Sequence, residues 1–265
     1  MAEQETSKRG NMDFATFVGL LIAGICVIGG LILEGGQIAD ITQPTAALIV
    51  IGGTLGAVMV STPQATLKGA SKRLMELVHD PSPPLGTVLE QIIRYAGQAR
   101  KQGLTALETE ANKIGDPFLR RALLLAIDGA DLQELRDMLR MEVDLEEARA
   151  DEEARVLEGA GGYAPTIGII GAVMGLIQVM KNLADIEEVG HGIAVAFVAT
   201  IYGVGMANLL FLPAAQKIKA RAAAEARRKE LITEGVVGLV EGLNPKLLRI
   251  KLEAFAGVER SNTGY

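Results

Sequence analysis

GAGGYAPTIGIIGAVMGLIQVM at residues 159–180 and GIAVAFVATIYGVGMANLLFLPAAQ at residues 192–216 decide the fold of this 265-residue chain. Neither segment contains Asp, Glu, Lys, Arg or His. A helix rises about 1.5 Å per residue, so about 20 apolar residues cross a hydrocarbon core of about 30 Å. Residues 14–33 and 41–67 are equally free of charge. The sequence therefore predicts four transmembrane helices rather than buried helices of a soluble protein, because too little chain remains to cover four such segments.

The first apolar segment, residues 14–33, follows Lys8 and Arg9, as the core of a signal peptide would. It is longer than a typical signal core, and no clear small-x-small cleavage site precedes Glu34. We therefore expect this segment to be retained as a helix.

The composition excludes several classes of protein. Hydrophobic residues make up 49% of the chain, charged residues 22%, and the mean hydropathy is +0.28. So apolar a chain must bury or immerse its surface, which excludes overall disorder. One cysteine, Cys26, and two histidines exclude a disulfide framework and a Cys/His zinc cage. The net charge of −6 argues against a nucleic-acid-binding protein.

Basic residues indicate which side of the membrane each turn faces. The turn at residues 34–44 has no Lys or Arg, and the turn at residues 181–191 has only Lys181 among several acidic residues. The positive-inside rule therefore places both termini and the long central loop in the cytoplasm. The basic residues beside the cytoplasmic ends of the spans are Lys8, Arg9, Lys68, Lys72, Arg73, Arg149, Arg155, Lys217, Lys219, Arg221, Arg227, Arg228 and Lys229.

The central loop has the apolar periodicity of helices and no strand-like alternation of any length. Pro117 is predicted to begin one of its helices. The predicted fold class is all-α: a polytopic membrane protein with four transmembrane helices and a helical cytoplasmic domain. The predicted parts are an N-terminal cytoplasmic extension (1–12), transmembrane helices 1 and 2 (13–63), the cytoplasmic helical domain (64–158), transmembrane helices 3 and 4 (159–216), and a cytoplasmic C-terminal helix and tail (217–265).

The sequence contains no nucleotide loop, dinucleotide fingerprint or HExxH metal motif, so we expect no enzyme activity, no metal and no cofactor. Gly168, Gly171 and Gly175 lie inside a span, where small residues let helices pack closely. No span contains a carboxylate, so either the chain moves no ions or a partner helix supplies the acid. The polar side chains inside the spans are those of Thr54, Thr166, Gln178, Thr200, Tyr202 and Asn208.

Two prolines lie in the spans, Pro165 near the inner end of the third and Pro213 at the inner end of the fourth. They are either tolerated near helix ends or mark points at which the helices bend as a cytoplasmic domain moves.

An A-P-x-x-G-x-x-G segment at residues 164–171, an A-x-x-x-T-x-Y-G segment at residues 196–203 and a basic F-x-P exit beginning at residue 211 occur in this order. From Met12 onward the chain closely resembles the MotA family, including its sodium-type branch PomA: the larger subunit of the bacterial flagellar stator. The resemblance implies an ion-driven motor subunit in the bacterial inner membrane. It also implies a homo-oligomer, a pentamer around two copies of a MotB-type single-span partner that carries the ion-binding aspartate.

The resemblance further implies roles for particular residues. Charged residues of the central loop would contact the switch-complex protein of the rotor, and the family's Arg and Glu match Arg100 and Glu108, with Lys101 and Glu110 as neighbouring candidates. From the spacing alone these would be read as a solvated helix surface. The family's two mechanistic prolines match Pro165 and Pro213.

The transported ion is predicted to be a proton rather than sodium. Sodium needs several oxygen ligands, and the sodium-type pattern has one hydroxyl in the third span and a Thr-Thr pair in the fourth. Here those positions match Ala172 and the pair Ala199–Thr200, so only the hydroxyl of Thr200 is retained. Thr200 would hold a water or help present the ion, or else its hydroxyl bonds back to its own helix. The candidate ion-pathway residues are Thr200, Ala172, Ala199 and Tyr202.

Two other classes of function stay open at this point. One is a related ion-driven motor of the ExbB, TolQ or ZorA type that energises a non-flagellar process. The other is a structural membrane scaffold without ion flux. Four spans with an internal N-terminus count against the ExbB and TolQ types, which have three.

Overall fold

The computed structural model describes residues 11–12, 14–77, 79–80 and 84–256. Most of the predicted N-terminal extension and residues 257–265 of the predicted tail lie outside the described residues. Within the described part, the only strands are β1 (Asn11–Met12) and β2 (His79–Asp80), which pair antiparallel. The rest of the regular structure is helical, so the predicted fold class is confirmed. The α-helices are α1 (Phe14–Leu33), α2 (Pro44–Ala47), α3 (Gly53–Ser61), α4 (Gln64–Glu76), α5 (Leu85–Gln102), α6 (Glu108–Ala111), α7 (Pro117–Ile127), α8 (Leu132–Lys181), α9 (Ile186–Met206), α10 (Leu212–Val240) and α11 (Pro245–Ala256).

The chain forms two compact units. Residues 1–81 and 150–220 make up the first, here called the spanning unit, and residues 82–149 and 221–265 make up the second, the charged unit. Among the described residues, four helical stretches are long and apolar enough to cross a membrane, as the sequence predicts. The predicted part boundaries at residues 63 and 158 concern membrane depth, which a grouping by contacts does not test, and they stay predictions.

The second span consists of α2, a π-helical segment (Leu48–Gly52) and α3, and it ends at Ser61. Thr62 is extended, with φ −129° and ψ 133°, because the ring of Pro63 disfavours a helical residue before it. Helix α4 then begins at Gln64. The uncharged run of residues 41–67 is therefore not one span, since its last residues belong to a separate helix.

Helices α8 and α9 form the hairpin that contains the third and fourth spans. Helix α8 is 50 residues long and continues through Pro165. The carboxylate of Asp185 accepts hydrogen bonds from the backbone N–H groups of Glu187 (3.0 Å) and Glu188 (3.4 Å) and so caps α9. This cap sets the direction in which α9 leaves the turn.

The core of the charged unit is built from the apolar faces of α5, α7, α10 and α11 and of the first part of α8. Pro117 is the first residue of α7, as predicted, and the Asp116 carboxylate caps that helix with a 2.9 Å hydrogen bond from the N–H of Phe118. Burial of such large side chains supplies the main stabilising free energy of the unit. The largest fully buried side chains there are Ile92, Leu107, Phe118, Leu119, Leu123, Leu135, Leu139, Leu231, Ile232, Leu248 and Leu252.

Ion pairs join helices of the charged unit around this core. The carboxylate of Glu234 lies 2.9 Å from the ammonium of Lys251 and 3.1 Å from the guanidinium of Arg140. Partial burial raises the pKa of Glu234, but the hydrogen bond from Lys251 and the charges of Lys251, Arg136 and Arg140 outweigh this and leave that pKa below its ordinary value. The carboxylate therefore stays ionised and holds α8, α10 and α11 together.

Candidate functional site

The backbones of α8 and α9 approach each other closely at glycines of both helices. A Cβ atom added at Gly168 would lie 2.8 Å from the carbonyl oxygen of Ala199, and one added at Gly175 would lie 2.7 Å from that of Gly192. A Cβ at Gly203 would lie 2.5 Å from the carbonyl oxygen of Ala164. Gly168 and Gly175 are therefore packing residues, as the sequence predicts, and Gly203 is a third that the sequence analysis did not name, because a side chain at any of them would overlap the facing backbone.

The second span packs against the same part of α9. Ala46 and Val50 are fully buried in a cluster with Val198 and Ala199. A Cβ at Gly171 would lie 2.8 Å from the Cβ of Ala199, so α8 also closes on this point. Ala199 is thus enclosed by three helical segments, and its methyl group offers no open surface for an ion.

Ala172 and Thr200, two of the predicted ion-pathway positions, lie at one level of the hairpin. Gly171, next to Ala172, contacts Ala199, next to Thr200. Both Ala172 and Thr200 are half-buried. The hydroxyl of Thr200 donates a hydrogen bond to the carbonyl oxygen of Ala196 at 3.1 Å. This is the back-bonded arrangement considered above, and it leaves the oxygen of Thr200 able to accept a further hydrogen bond.

Tyr202, the other predicted ion-pathway residue, makes two hydrogen bonds to distant backbone. Its hydroxyl donates to the carbonyl oxygen of Ile41 at 2.5 Å and accepts from the N–H of Gln43 at 3.3 Å. These residues precede α2, so Tyr202 fastens the turn between the first and second spans to α9. This contact could not be predicted from the sequence, because its partners are 159 and 161 residues away.

The two prolines differ in their surroundings. Pro165 is half-buried and follows Ala164, the residue whose carbonyl group touches Gly203. Pro213 is exposed and is the second residue of α10. A π-helical segment, Ala207–Phe211, lies directly before α10. Proline lacks the N–H that would continue the helical hydrogen bonds, and π-helical turns occur often at functional sites.

The predicted rotor-contact residues lie around a turn and not along one helix. Helix α5 ends at Gln102, and Gly103 adopts a φ of +86° that favours glycine. Arg100 and Lys101 are in the last turn of α5, and Glu108 begins α6. These three side chains are exposed and have no ion-pair partner within the part of the chain that the structure describes. Glu110 is half-buried, and its carboxylate lies 3.8 Å from the ammonium of Lys113.

A cluster of ion pairs joins the part of α8 before the third span to α4 and α10. The sequence analysis did not predict these pairs. Lys219 lies 3.1 Å from the carboxylate of Asp151 and 2.9 Å from that of Glu158. The hydrogen bond from Lys219 lowers the pKa of Asp151. Arg73 pairs with Glu153, and a Cβ at Gly69 would overlap that carboxylate. The spacing of Asp151 and Glu158 at about two turns of α8 was the available signal, but it did not identify Lys219 as their partner.

Comparisons with known proteins agree over nearly the whole chain. Two protein families match parts of this chain: the MotA/TolQ/ExbB proton channel family matches residues 110–231, and the family Motility protein A N-terminal matches residues 17–95. Motility protein A of Bacillus subtilis is 33% identical over 91% of this chain and 90% of its own length. Among solved structures, a chain of Campylobacter jejuni MotAB is 32% identical with a TM-score of 0.89, covering 95% of this chain and 98% of that one. A chain of the flagellar MotAB stator complex from Bacillus subtilis is 33% identical with a TM-score of 0.83, covering 89% and 92%.

Replacement of Gly203 by alanine is expected to destabilise the hairpin. The added Cβ would press on the carbonyl group of Ala164, and overpacking of this kind costs about 1–3 kcal/mol. The matched control is Gly205→Ala, two residues along α9, where nothing lies within 4 Å of the added Cβ. We expect thermal unfolding in detergent to begin at lower temperature for Gly203→Ala and not for Gly205→Ala. Equal unfolding temperatures would contradict the close approach.

Proposed function

This chain belongs to the MotA/TolQ/ExbB proton channel family, and on that premise we propose how it works as a stator subunit of a bacterial flagellar motor. Together with a MotB-type partner it forms a channel in the inner membrane and converts proton flow into torque on the rotor. The full-length likeness to chains of two MotAB stator complexes carries this proposal.

The partner supplies the carboxylate that binds the ion. The third and fourth spans of this chain contain no Asp, Glu, Lys, Arg or His, and a buried ion needs a charged or strongly polar partner. The hydroxyl, amide and carbonyl groups of this chain can orient an ion or a water molecule but do not neutralise a cation. An aspartate on the partner helix completes the site.

Several copies of this chain surround the partner, in the proposed arrangement a pentamer around two partner helices with both termini in the cytoplasm. The apolar surface supports an assembly of this kind. In the first span no residue of the apolar stretch Thr16–Leu33 is buried, and in the most apolar 18-residue stretch of the second span only 22% of the residues are. Large apolar faces must meet lipid, a neighbouring copy or the partner, because water would make their exposure costly.

Thr200 is the hydroxyl that this chain presents to the ion. Its hydrogen goes to Ala196, so its oxygen acts as an acceptor for a water molecule or for a protonated carboxyl group. Ala172 and Ala199 add no oxygen at this level, and Ala199 is fully enclosed. One hydroxyl suits a proton, which moves along hydrogen bonds, better than sodium, which needs several oxygen ligands. Tyr202 is proposed to contribute by holding the adjacent turn in place.

Ion binding is proposed to change the shape of the subunit at Pro165 and Pro213. The π-helical segment before Pro213 supports this, because a helix bends most readily where its regular hydrogen bonds are interrupted. The movement reaches the rotor through Arg100, Lys101, Glu108 and Glu110. The first three are exposed and have no ion-pair partner among the described residues. Exposed, unpaired charges of this kind are available to bind another protein.

The transported ion can be tested by motility. We expect this chain, expressed with its MotB-type partner in a flagellated host lacking its own stators, to restore swimming that persists without sodium. A protonophore added in high sodium should stop it. Cells that express this chain without the partner are the control and should not swim. Speed that follows sodium would contradict the proton assignment, and absence of rotation with the complex verified in the membrane would favour a non-flagellar role.

Replacement of Thr200 by alanine is expected to impair rotation while leaving assembly of the complex intact. Loss of one hydrogen bond costs about 1 kcal/mol, which corresponds to about a fivefold effect on an equilibrium or a rate. The matched control is Thr42→Ala, which removes a hydroxyl that also bonds back to a carbonyl, that of Ile38 at 2.8 Å, but in the turn before α2. The torque–speed relation of tethered motors measures both. If it is the same for Thr200→Ala as for the wild type, Thr200 has no part in the mechanism.

Reversal of the exposed charges at the α5–α6 turn is expected to weaken rotor contact. Arg100→Glu and Glu108→Arg should each reduce swimming mildly, because charges at the edge of an interface orient an encounter more than they tighten it. The double variant should be worse than either, since both charges meet one surface. Reversal of the exposed Lys246 and Glu241 in the same unit is the control. A double variant that swims like this control would rule out the contact.

A further inference from the structure

Asn208 is a polar residue of the fourth span that has no role in the function described above. It lies in the π-helical segment Ala207–Phe211, and its side chain is exposed. Its side-chain amide donates a hydrogen bond to the carbonyl oxygen of Val204 at 2.9 Å. Residues four apart lie on one face of a helix, and Thr200, Val204 and Asn208 follow this spacing. The side chain of Asn208 therefore lies on the same side of the fourth span as that of Thr200.

The backbone carbonyl oxygen of Asn208 lacks the N–H donors that a regular helix would supply. In a regular helix the N–H of Leu212 would donate to the carbonyl oxygen of Asn208. Here it donates to that of Ala207, one residue earlier. The next residue, Pro213, has no N–H. Neither residue can therefore satisfy the Asn208 carbonyl, which adds an acceptor beside the side-chain amide oxygen.

The amide and carbonyl acceptors of Asn208 are unfavourable in the hydrocarbon region of a membrane. Polar side chains inside a membrane face a bundle interior or a water-filled path, because an amide without partners is costly in lipid. The fourth span is otherwise apolar around this point, with Leu209 and Leu210 exposed beside Asn208. The acceptors of Asn208 therefore need water or a polar partner in the assembled complex.

We infer that Asn208 is a positioning residue of the ion pathway, which holds water on the cytoplasmic side of Thr200. The inference rests on the proposed function. Eight residues separate the two positions, about 12 Å along the helix. The amide is not itself protonated in this role. Its oxygen and the adjacent carbonyl accept hydrogen bonds from a water molecule, and the proton moves through that water between the level of Thr200 and the cytoplasm.

The alternative is that Asn208 only satisfies the carbonyl group of Val204 and so stabilises the π-helical turn. Two substitutions separate these roles. Asn208→Ala removes the donor and the side-chain acceptor. Asn208→Asp keeps the side-chain acceptor and adds a second acceptor oxygen but, when ionised, has no hydrogen to donate to Val204. The control for packing in this turn is Leu209→Ala, a truncation at the neighbouring exposed residue.

The test is bead rotation driven by the complete complex, at low load and near stall. Near stall, the energy released per ion sets the torque, whereas at low load the rate of ion passage limits the speed. For Asn208→Ala we expect about a fivefold lower speed at low load, the size of effect of one lost hydrogen bond, with unchanged torque near stall. Leu209→Ala should rotate like the wild type. Asn208→Asp should rotate, with a speed that now depends on cytoplasmic pH.

Other outcomes overturn the inference. If Asn208→Ala rotates like Leu209→Ala at low load, the amide has no part in ion passage. If the complex with Asn208→Ala does not assemble, the Asn208→Asp variant separates the two roles. If that complex does not assemble either, Asn208 has only the structural role. A wild-type complex that does not rotate would overturn the proposed function, and this inference with it. Slow rotation of Asn208→Ala beside a rotating wild type would support both.

Discussion

The close approach of α8 and α9 depends on glycine, because carbonyl oxygens of one helix occupy the place where side chains of the other would begin. Gly168 and Gly175 on α8 face carbonyl groups of α9, and Gly203 on α9 faces the carbonyl group of Ala164 on α8. This contact brings Ala172 and Thr200 to one level and encloses Ala199 against the second span. The positions of Thr200 and Tyr202 on α9 follow from it, because a rotation of α9 would bring side chains against the backbone of α8.

The polar chemistry of the spans is that of acceptors without charge. The Thr200 hydroxyl and the Asn208 amide each donate a hydrogen bond to a carbonyl group one turn earlier, which leaves their oxygen atoms able to accept. Oxygen acceptors in an apolar helix attract water and protonated groups without holding a cation permanently. In the proposed function, this chain shapes the path and the partner chain carries the charge.

Charges serve two purposes in the charged unit. Arg228 pairs with Asp116 and Glu225, and Lys229 pairs with Glu146, so these buried cations tie helices together around the core. Arg100, Lys101 and Glu108 are exposed and make no ion pair in the described part of the chain. Removing one partner of such a pair would destabilise the unit, because the other buried charge would be left without compensation. Exposed unpaired charges cost little and remain available to a partner.

The sequence by itself determined the four spans, the helical class, the start of α7 at Pro117 and the packing role of Gly168, Gly171 and Gly175. Each depends on local composition or on a spacing within one helix. Only the tertiary structure decided that Tyr202 holds the turn before α2 and that Glu153 pairs with Arg73. Those features join residues far apart in the chain or depend on how neighbouring helices meet, and neither is written in a local pattern.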